Sequence, residues 1–159
     1  MAKGSASQTA PPSFAAPNLT VGAFGYSRPN NYIFDIGYAM GDCIDPSGVT
    51  SGDYYSFSLT NTTPITNASI SFREFNNDCQ GGCASAQIFA VQYDTDPGFN
   101  NPTPVQTFTP ATPGFASYTF PISSTLQPGT YYFQILAQGV DHDGAGQYVL
   151  DHVTIAGSH

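Results

Sequence analysis

The sequence predicts an all-β protein, an antiparallel β-sandwich of about nine strands with almost no helix. Pro (13) and Gly (16) are spread along the whole chain, and no window keeps an apolar period of 3.6 residues for three turns. Phe and Tyr make up 14% of the 159 residues, too many for a disordered chain. Turn residues separate short alternating segments at a spacing typical of a sandwich or barrel.

The clearest strand is "LQPGTYYFQILAQG", residues 126–139. Pro128 and Gly129 supply a turn, because Pro presets φ and Gly accepts unusual backbone angles. The following side chains alternate between two faces: Tyr131, Phe133, Ile135 and Ala137 on one, and Tyr132, Gln134, Leu136 and Gln138 on the other. The apolar face needs a second sheet to cover it, which predicts a sandwich.

The other strands follow in order along the chain. The nine predicted strands are 19–26, 31–39, 53–60, 66–75, 86–93, 105–109, 115–122, 130–138 and 147–155. One-sided apolar patterns recur in "DYYSFSL", "NASISF" and "SYTFPI", whereas "GQYVLDHVTI" (146–155) is apolar on both sides and predicts a central strand. Residues 1–17, rich in Ser, Ala and Pro, predict a flexible leader, and 18–159 a single domain.

The charge of the chain excludes several partners. Charged residues are 9% of the chain, against roughly 25% in typical soluble domains, and the net charge is −8. Only Lys3, Arg28 and Arg73 are positive, so there is no cationic cluster of the kind that binds nucleic acid.

No run approaches 18 apolar residues, so the sequence predicts no membrane span.

The three cysteines, Cys43, Cys79 and Cys83, are disulfide candidates. Cys79 and Cys83 flank a Gly-Gly turn, and Cys43 with either of them closes a longer loop that stabilises by about 3–4 kcal/mol. An odd number leaves one thiol free or bonded between molecules. Reduced thiols and a metal site are the alternatives, although a metal site lacks a convincing fourth ligand.

A calcium site is a candidate in "DHDGAGQYVLD", where Asp141, Asp143 and Asp151 offer hard oxygen ligands and Gly144 permits a bend. The bidentate Glu of an EF-hand is missing, so that motif is excluded. The alternative is that these aspartates are ordinary turn residues, since Asp bonds its own backbone in turns.

Catalytic motifs are sparse. Glu74 is the only Glu, which excludes a glycosidase with paired glutamates. Neither a Gly-x-Ser-x-Gly elbow nor a His-Glu-x-x-His motif occurs. A Cys–His pair through His152, in the middle of a predicted strand, and an Asp nucleophile stay open.

Three tyrosines, Tyr54, Tyr93 and Tyr132, are candidates for an outward-facing platform on which sugar rings stack. The alternative is that they belong to the core, as most aromatic side chains of a helix-free chain do.

Two elements resemble a known family. "SGDYYSFSL" (51–59) resembles the opening strand of the bacterial pre-peptidase C-terminal domain, and "LQPGTYYFQILAQG" followed by "GQYVLDHVTI" resembles its closing hairpin. The match runs from about 51 to 155 and is similar in style to exported proteins with a C-terminal sorting tail. The resemblance implies an extracellular, non-catalytic, jelly-roll-like β-sandwich that accompanies a secreted enzyme or belongs to a surface protein.

These observations favour a secreted, non-catalytic sandwich in adhesion, extracellular matrix or polysaccharide binding, whose partner is an extracellular polymer or surface glycan. One alternative is a self-assembling structural subunit, in which the segment "SFAAPNLTVGAF" adds a strand to the sheet of another copy. The other alternative is a secreted hydrolase. No cofactor besides Ca²⁺ is expected.

Overall fold

The computed structural model is all-β and contains no helix among the residues it describes. Those residues are 9–10, 18–22, 24–26, 29–34, 37–40, 54–77, 86–110, 114–140 and 147–158. The strands are β1 (Thr9–Ala10), β2 (Leu19–Val21), β3 (Phe24–Tyr26), β4 (Pro29–Phe34), β5 (Gly37–Met40), β6 (Tyr54–Asn61), β7 (Thr66–Asn77), β8 (Ala86–Asp94), β9 (Thr103–Phe108), β10 (Gly114–Pro121), β11 (Gly129–Val140) and β12 (Gln147–Ser158). Eight of them have six residues or more, close to the predicted number.

The strands form two antiparallel sheets. The larger sheet has the order β1-β3-β6-β11-β8-β9, with β2 also paired to β6, and the smaller has the order β10-β7-β12-β5-β4. The chain crosses between the sheets at β3–β4, at each connection from β5 to β8, and again at each connection from β9 to β12. The predicted antiparallel, jelly-roll-like sandwich is therefore confirmed, and β12 lies centrally between β7 and β5 as expected.

Two predicted strands are each divided in the structure. Segment 19–26 contains β2 and β3, which both pair with β6, and Gly22 directly follows β2. The Gly22 N–H donates to Ser58 O at 2.8 Å, and a Cβ at this position would clash with Ser58 Oγ unless that hydroxyl rotated away. Segment 31–39 contains β4 and β5, which pair with each other. Within the predicted leader, Thr9–Ala10 pairs with β3 as β1.

The core lies between the two sheets, and aromatic rings fill much of it. Phe108 of the larger sheet contacts Tyr118 and Phe120 of the smaller sheet, with ring centroids 4.7 and 5.5 Å apart. Phe72 also reaches Phe108, at 5.6 Å. Such tilted contacts add to the free energy gained by burial. The predicted one-sided patterns are confirmed, since Tyr55 and Leu59 of β6 and Phe133 of β11 are fully buried.

The described strands and turns include no helix long and apolar enough to cross a membrane.

Candidate binding face on the larger sheet

The side of the larger sheet that faces away from the core carries an ordered set of aromatic and polar side chains. Directly opposed residues share one face of a sheet, so the pairing of β6, β11 and β8 fixes which side chains are neighbours. They form three rows, Ser58–Tyr132–Asp94, Ser56–Gln134–Gln92 and Tyr54–Leu136–Ala90. Successive rows are about 7 Å apart along the strands. We call these nine residues the outer face.

Two of the three predicted platform tyrosines lie on the outer face. Tyr132 occupies the middle of the first row and Tyr54 one end of the third, and both side chains are half-buried. They differ by two row spacings along the strands and one strand spacing across them, which places them about 14 Å apart. That separation exceeds a single sugar ring, so a ligand that contacts both tyrosines is an extended one.

Tyr93 lies on the inner face instead, which corrects the predicted position. It is 7% exposed, and its ring contacts Phe133 at 5.6 Å and Tyr131 at 5.9 Å. Tyr93 shares its parity in β8 with the buried Phe89 and Val91, and a strand turns every second side chain to the same side. Tyr93 therefore belongs to the core, which was the alternative interpretation of its position.

Amide side chains occupy the middle row. Gln92 Nε2 donates to Gln134 Oε1 at 2.7 Å across β8 and β11, and Gln134 is only 8% exposed. This bond fixes the orientation of both amides between the two tyrosine rows. Beyond the first row, the hydroxyls of Thr60 and Thr130 form a second cross-strand hydrogen bond of 2.9 Å. These two bonds hold the two glutamines and the two threonines in place before any ligand binds.

The loop of residues 94–101, here called the Asp94 loop, borders the first row. Asp94 lies opposite Tyr132, and its carboxylate accepts the backbone N–H groups of Asp96 (3.1 Å) and Asn101 (3.0 Å). The Asp96 carboxylate accepts the Gly98 N–H at 2.9 Å and the Asn100 side-chain amide. These two bonds, first the Gly98 N–H and then the Asn100 amide, hold the pKa of Asp96 below its ordinary value.

Phe99 has a strained backbone at the tip of this loop. Its φ is +49°, in the left-handed region that a bulky side chain rarely adopts. Such a conformation costs on the order of 1–3 kcal/mol and persists only where surrounding contacts impose it. Here the Phe99 N–H donates to Asp96 O at 3.1 Å, within the network made by the two aspartates.

The predicted thiol and calcium sites lie mostly outside the described residues. This is the case for Cys43, Cys79, Cys83, Asp141 and Asp143. Asp151 belongs to β12, where its backbone is opposite Arg73. In the part of the chain that the structure describes, no three His, Cys, Asp or Glu side chains are grouped to hold a metal ion. The disulfide and the calcium site stay predictions.

Glu74, the only Glu, and His152, considered above for a Cys–His pair, occupy separate places. Glu74 is 1% exposed between the sheets, and its Oε1 accepts the Tyr118 hydroxyl at 2.9 Å. His152 is exposed at an irregularity of β12, between the paired residues Asp151 and Thr154, with φ +52°. Glu74 points into the core, whereas His152 faces solvent, so the two do not share a site.

The outer side of the smaller sheet is chemically different. Phe75 and Phe115 are in ring contact at 4.6 Å, and Phe115 is 56% exposed. The Arg73 guanidinium lies 5.8 Å from the Phe115 ring centroid, a cation–π contact. This surface provides a comparison for variants of the outer face.

Sequence reasoning named Tyr54 and Tyr132 but missed their polar neighbours Gln92, Gln134 and Ser56. The alternation in residues 130–138 already separates Gln134 from the core face. Gln92 becomes its neighbour only through the register between β8 and β11, which lie far apart along the chain.

Comparisons with known proteins give only distant similarities. No protein-family model matches the chain, and no curated protein does. Among solved structures, a family 29 carbohydrate-binding module aligns at 11% identity and a TM-score of 0.36, covering 83% of this chain and 87% of that one. Xyl-CBM35, in complex with a disaccharide that contains glucuronic acid, aligns at 14% identity and 0.38, covering 69% and 73%. The C-terminal domain of a Bacteroides fragilis chitobiase aligns at 14% and 0.33, covering 65% of each chain. At these scores no residue role and no ligand is carried over to this chain.

Proposed function

We propose that this domain binds a neutral polysaccharide on the outer face of its larger sheet, outside the cell and without hydrolysing it. The observation that carries the proposal is the order of the three rows: an amide row lies between a row with Tyr132 and a row with Tyr54 and Leu136. Sugars present the same two chemistries, apolar C–H faces and hydroxyl edges.

The aromatic rows supply the apolar part of binding. Tyrosine rings offer large flat surfaces against which the C–H face of a sugar packs, and they lose little side-chain entropy on binding. Because Tyr132 and Tyr54 are about 14 Å apart, we infer that they contact different sugar units of one chain. Leu136, opposite Tyr54, extends the apolar surface of the third row.

The amide row supplies hydrogen bonds to sugar hydroxyls. A glutamine side chain both donates and accepts, as a sugar hydroxyl does, so Gln92 and Gln134 match hydroxyls of either polarity. Their mutual hydrogen bond orients them in advance, which lowers the entropy lost on binding. The half-buried hydroxyls of Ser56 and Ser58 border the same rows.

Charge selects a neutral ligand over an anionic one. The outer face contains no Lys or Arg, and its only ionisable acid, Asp94, is turned toward the backbone of its own loop. With a net charge of −8, the chain repels polyanions. Arg73, the exposed cation of the described strands, lies on the other sheet.

Affinity electrophoresis tests the proposal. The protein is run in native gels cast with soluble β-glucan, glucomannan or xylan, and with polygalacturonate as the anionic comparison. We expect retardation by at least one neutral polymer, and Tyr132→Ala and Tyr54→Ala each to weaken binding about tenfold or more. The polymer should be recovered with its length unchanged.

Phe115→Ala is the matched control, because it removes an exposed aromatic ring from the opposite sheet. It should bind like the unaltered protein, and the thermal midpoints of all variants show whether they are folded. Equal retardation of Tyr132→Ala and the unaltered protein would contradict the proposal, as would retardation by polygalacturonate alone.

In the described part of the segment named for self-assembly, Leu19–Val21 pairs with β6 of the same chain.

A further inference from the structure

Phe99 has a backbone conformation that glycine ordinarily adopts at this position of a turn. The Phe99 N–H donates to Asp96 O, closing a turn with Pro97 and Gly98 at its central positions. A left-handed residue after such a turn is ordinarily Gly, which carries no Cβ penalty. Here the left-handed residue is Phe99, whereas Gly98, one position earlier, has no positive φ. The turn thus holds a large aromatic side chain where a glycine would be less strained.

The core does not account for this aromatic ring. Phe99 is half-buried, yet it is absent from the partly buried apolar side chains that pack against the core in the described part of the chain. By contrast, Phe57 and Tyr131, which are also half-buried, do pack there. Packing against the core therefore does not explain why a phenylalanine is held in this conformation.

The Asp94 loop places Phe99 at one end of the outer face. Asp94 is directly opposite Tyr132, so its side chain leaves the sheet on the same side as the Tyr132 ring. Its carboxylate accepts the Asn101 N–H at 3.0 Å, which brings residue 101 to that side of the sheet. Phe99 is two residues from Asn101, so its backbone lies within about 7 Å of Asn101, at the end of the sheet where the first row lies.

We propose that Phe99 is a third stacking residue of the polysaccharide site, at the end of the outer face next to Tyr132. This inference rests on the proposed function and extends its site from β6 and β11 across β8 to the Asp94 loop. The two aspartates act as positioning residues, because their hydrogen bonds hold the strained backbone that presents the ring. The ligand then runs across the strands as well as along them.

Variants of Phe99 distinguish the effect of backbone strain, which changes stability, from the effect of the aromatic ring, which changes affinity. Phe99→Gly relieves the left-handed conformation and deletes the ring, and Phe99→Asn does the same with a side chain that tolerates positive φ. For both variants we expect a thermal midpoint equal to or above that of the unaltered protein. We also expect affinity for the retarding neutral polysaccharide to fall roughly three- to tenfold. Phe99→Tyr keeps a ring and should bind like the unaltered protein.

Two controls match the two parts of this change. Asn67→Gly relieves another left-handed residue, φ +50°, at an exposed position of the smaller sheet, and Phe115→Ala removes another exposed ring. Neither should alter affinity. Full affinity in Phe99→Gly and Phe99→Asn would overturn this inference. If Tyr132→Ala still loses binding in that case, the proposed function stands, whereas full affinity in all three variants overturns both.

Discussion

Asp96 organises the Asp94 loop through its charge as well as through its shape. Its carboxylate accepts the Gly98 N–H and the Asn100 amide, and both bonds favour the ionised form. The pKa of Asp96 is therefore lower in the folded protein than in the unfolded chain. The resulting stabilisation is fully present above the unfolded pKa, at about pH 4 and higher, and is lost as the pH falls through the folded value.

We therefore expect Asp96→Asn to lower the thermal midpoint at pH 6 and to have a smaller effect near pH 2, where Asp96 is protonated to a greater extent. The variant keeps a side-chain acceptor but loses the charge, so it equals the protonated form of the native residue. Thermal unfolding at the two pH values measures the difference. Thr95→Ala, an exposed change in the same loop, should show an effect that does not depend on pH. If Asp96→Asn lowers the thermal midpoint equally at both pH values, the charge of Asp96 does not stabilise the folded protein.

At the scale of elements, a single amide joins the end of β6 to the connection between β10 and β11. Asn61 is 2% exposed, and its Nδ2 lies 2.7 Å from Thr63 O and 3.1 Å from both Leu126 O and Gln127 O. The two N–H bonds of this amide thus lie among three carbonyl oxygens, so at least one N–H is shared between two of them. This contact fixes the start of β11 next to the end of β6, and through it the register that creates the rows of the outer face.

Replacement of Asn61 tests this connection. Asn61→Ala removes the donor shared by Thr63 O and Gln127 O, whereas Leu126 O still accepts the Ile65 N–H, and should reduce the free energy of unfolding by about 1–3 kcal/mol. Asn61→Asp places a carboxylate against them, which should cost about 3–5 kcal/mol at neutral pH. Burial raises the pKa of that new carboxyl in the folded protein. The loss of stability is therefore full above the raised pKa, and it disappears as the pH falls to the pKa of the unfolded chain. Urea unfolding measures all three proteins.

The exposed Asn67→Asp is the control for the added charge and should change stability by less than about 0.5 kcal/mol. An Asn61→Asp variant as stable as Asn61→Ala at pH 7 would contradict the proposed role of the donor group.

The extent to which the sequence predicts the fold also depends on scale. Within one strand the period of two is local, so Phe133 and Ile135 were correctly placed in the core and Tyr132 outside it. A local pattern does not show where a chain reverses without a recognised turn, and for this reason 31–39 was predicted as one strand. Nor does it show which strands become neighbours, because register depends on contacts between distant segments. The amide row therefore became visible only in the folded chain.

At the scale of the whole molecule, the two outer surfaces of the sandwich have opposite character. The nine residues of the outer face include tyrosines and neutral amides but no cation, and the smaller sheet presents Phe115 with the Arg73 guanidinium near its ring. The jelly-roll-like order brings β11 between β6 and β8, so residues from three distant segments meet on one face. We therefore expect one face, and not the protein surface in general, to bind a neutral polysaccharide.

The most direct measurement of this claim uses the absence of Trp from the chain, because a single introduced Trp reports only on its own surroundings. Tyr132→Trp places the reporter on the outer face, and Phe115→Trp places it on the opposite sheet. Titration with the retarding neutral polysaccharide should shift the Tyr132→Trp emission to shorter wavelength and saturate, because a sugar ring that covers the indole excludes water from it. The Phe115→Trp emission should stay constant. A saturable shift at Phe115→Trp, with none at Tyr132→Trp, would contradict the account and place the binding site on the other sheet.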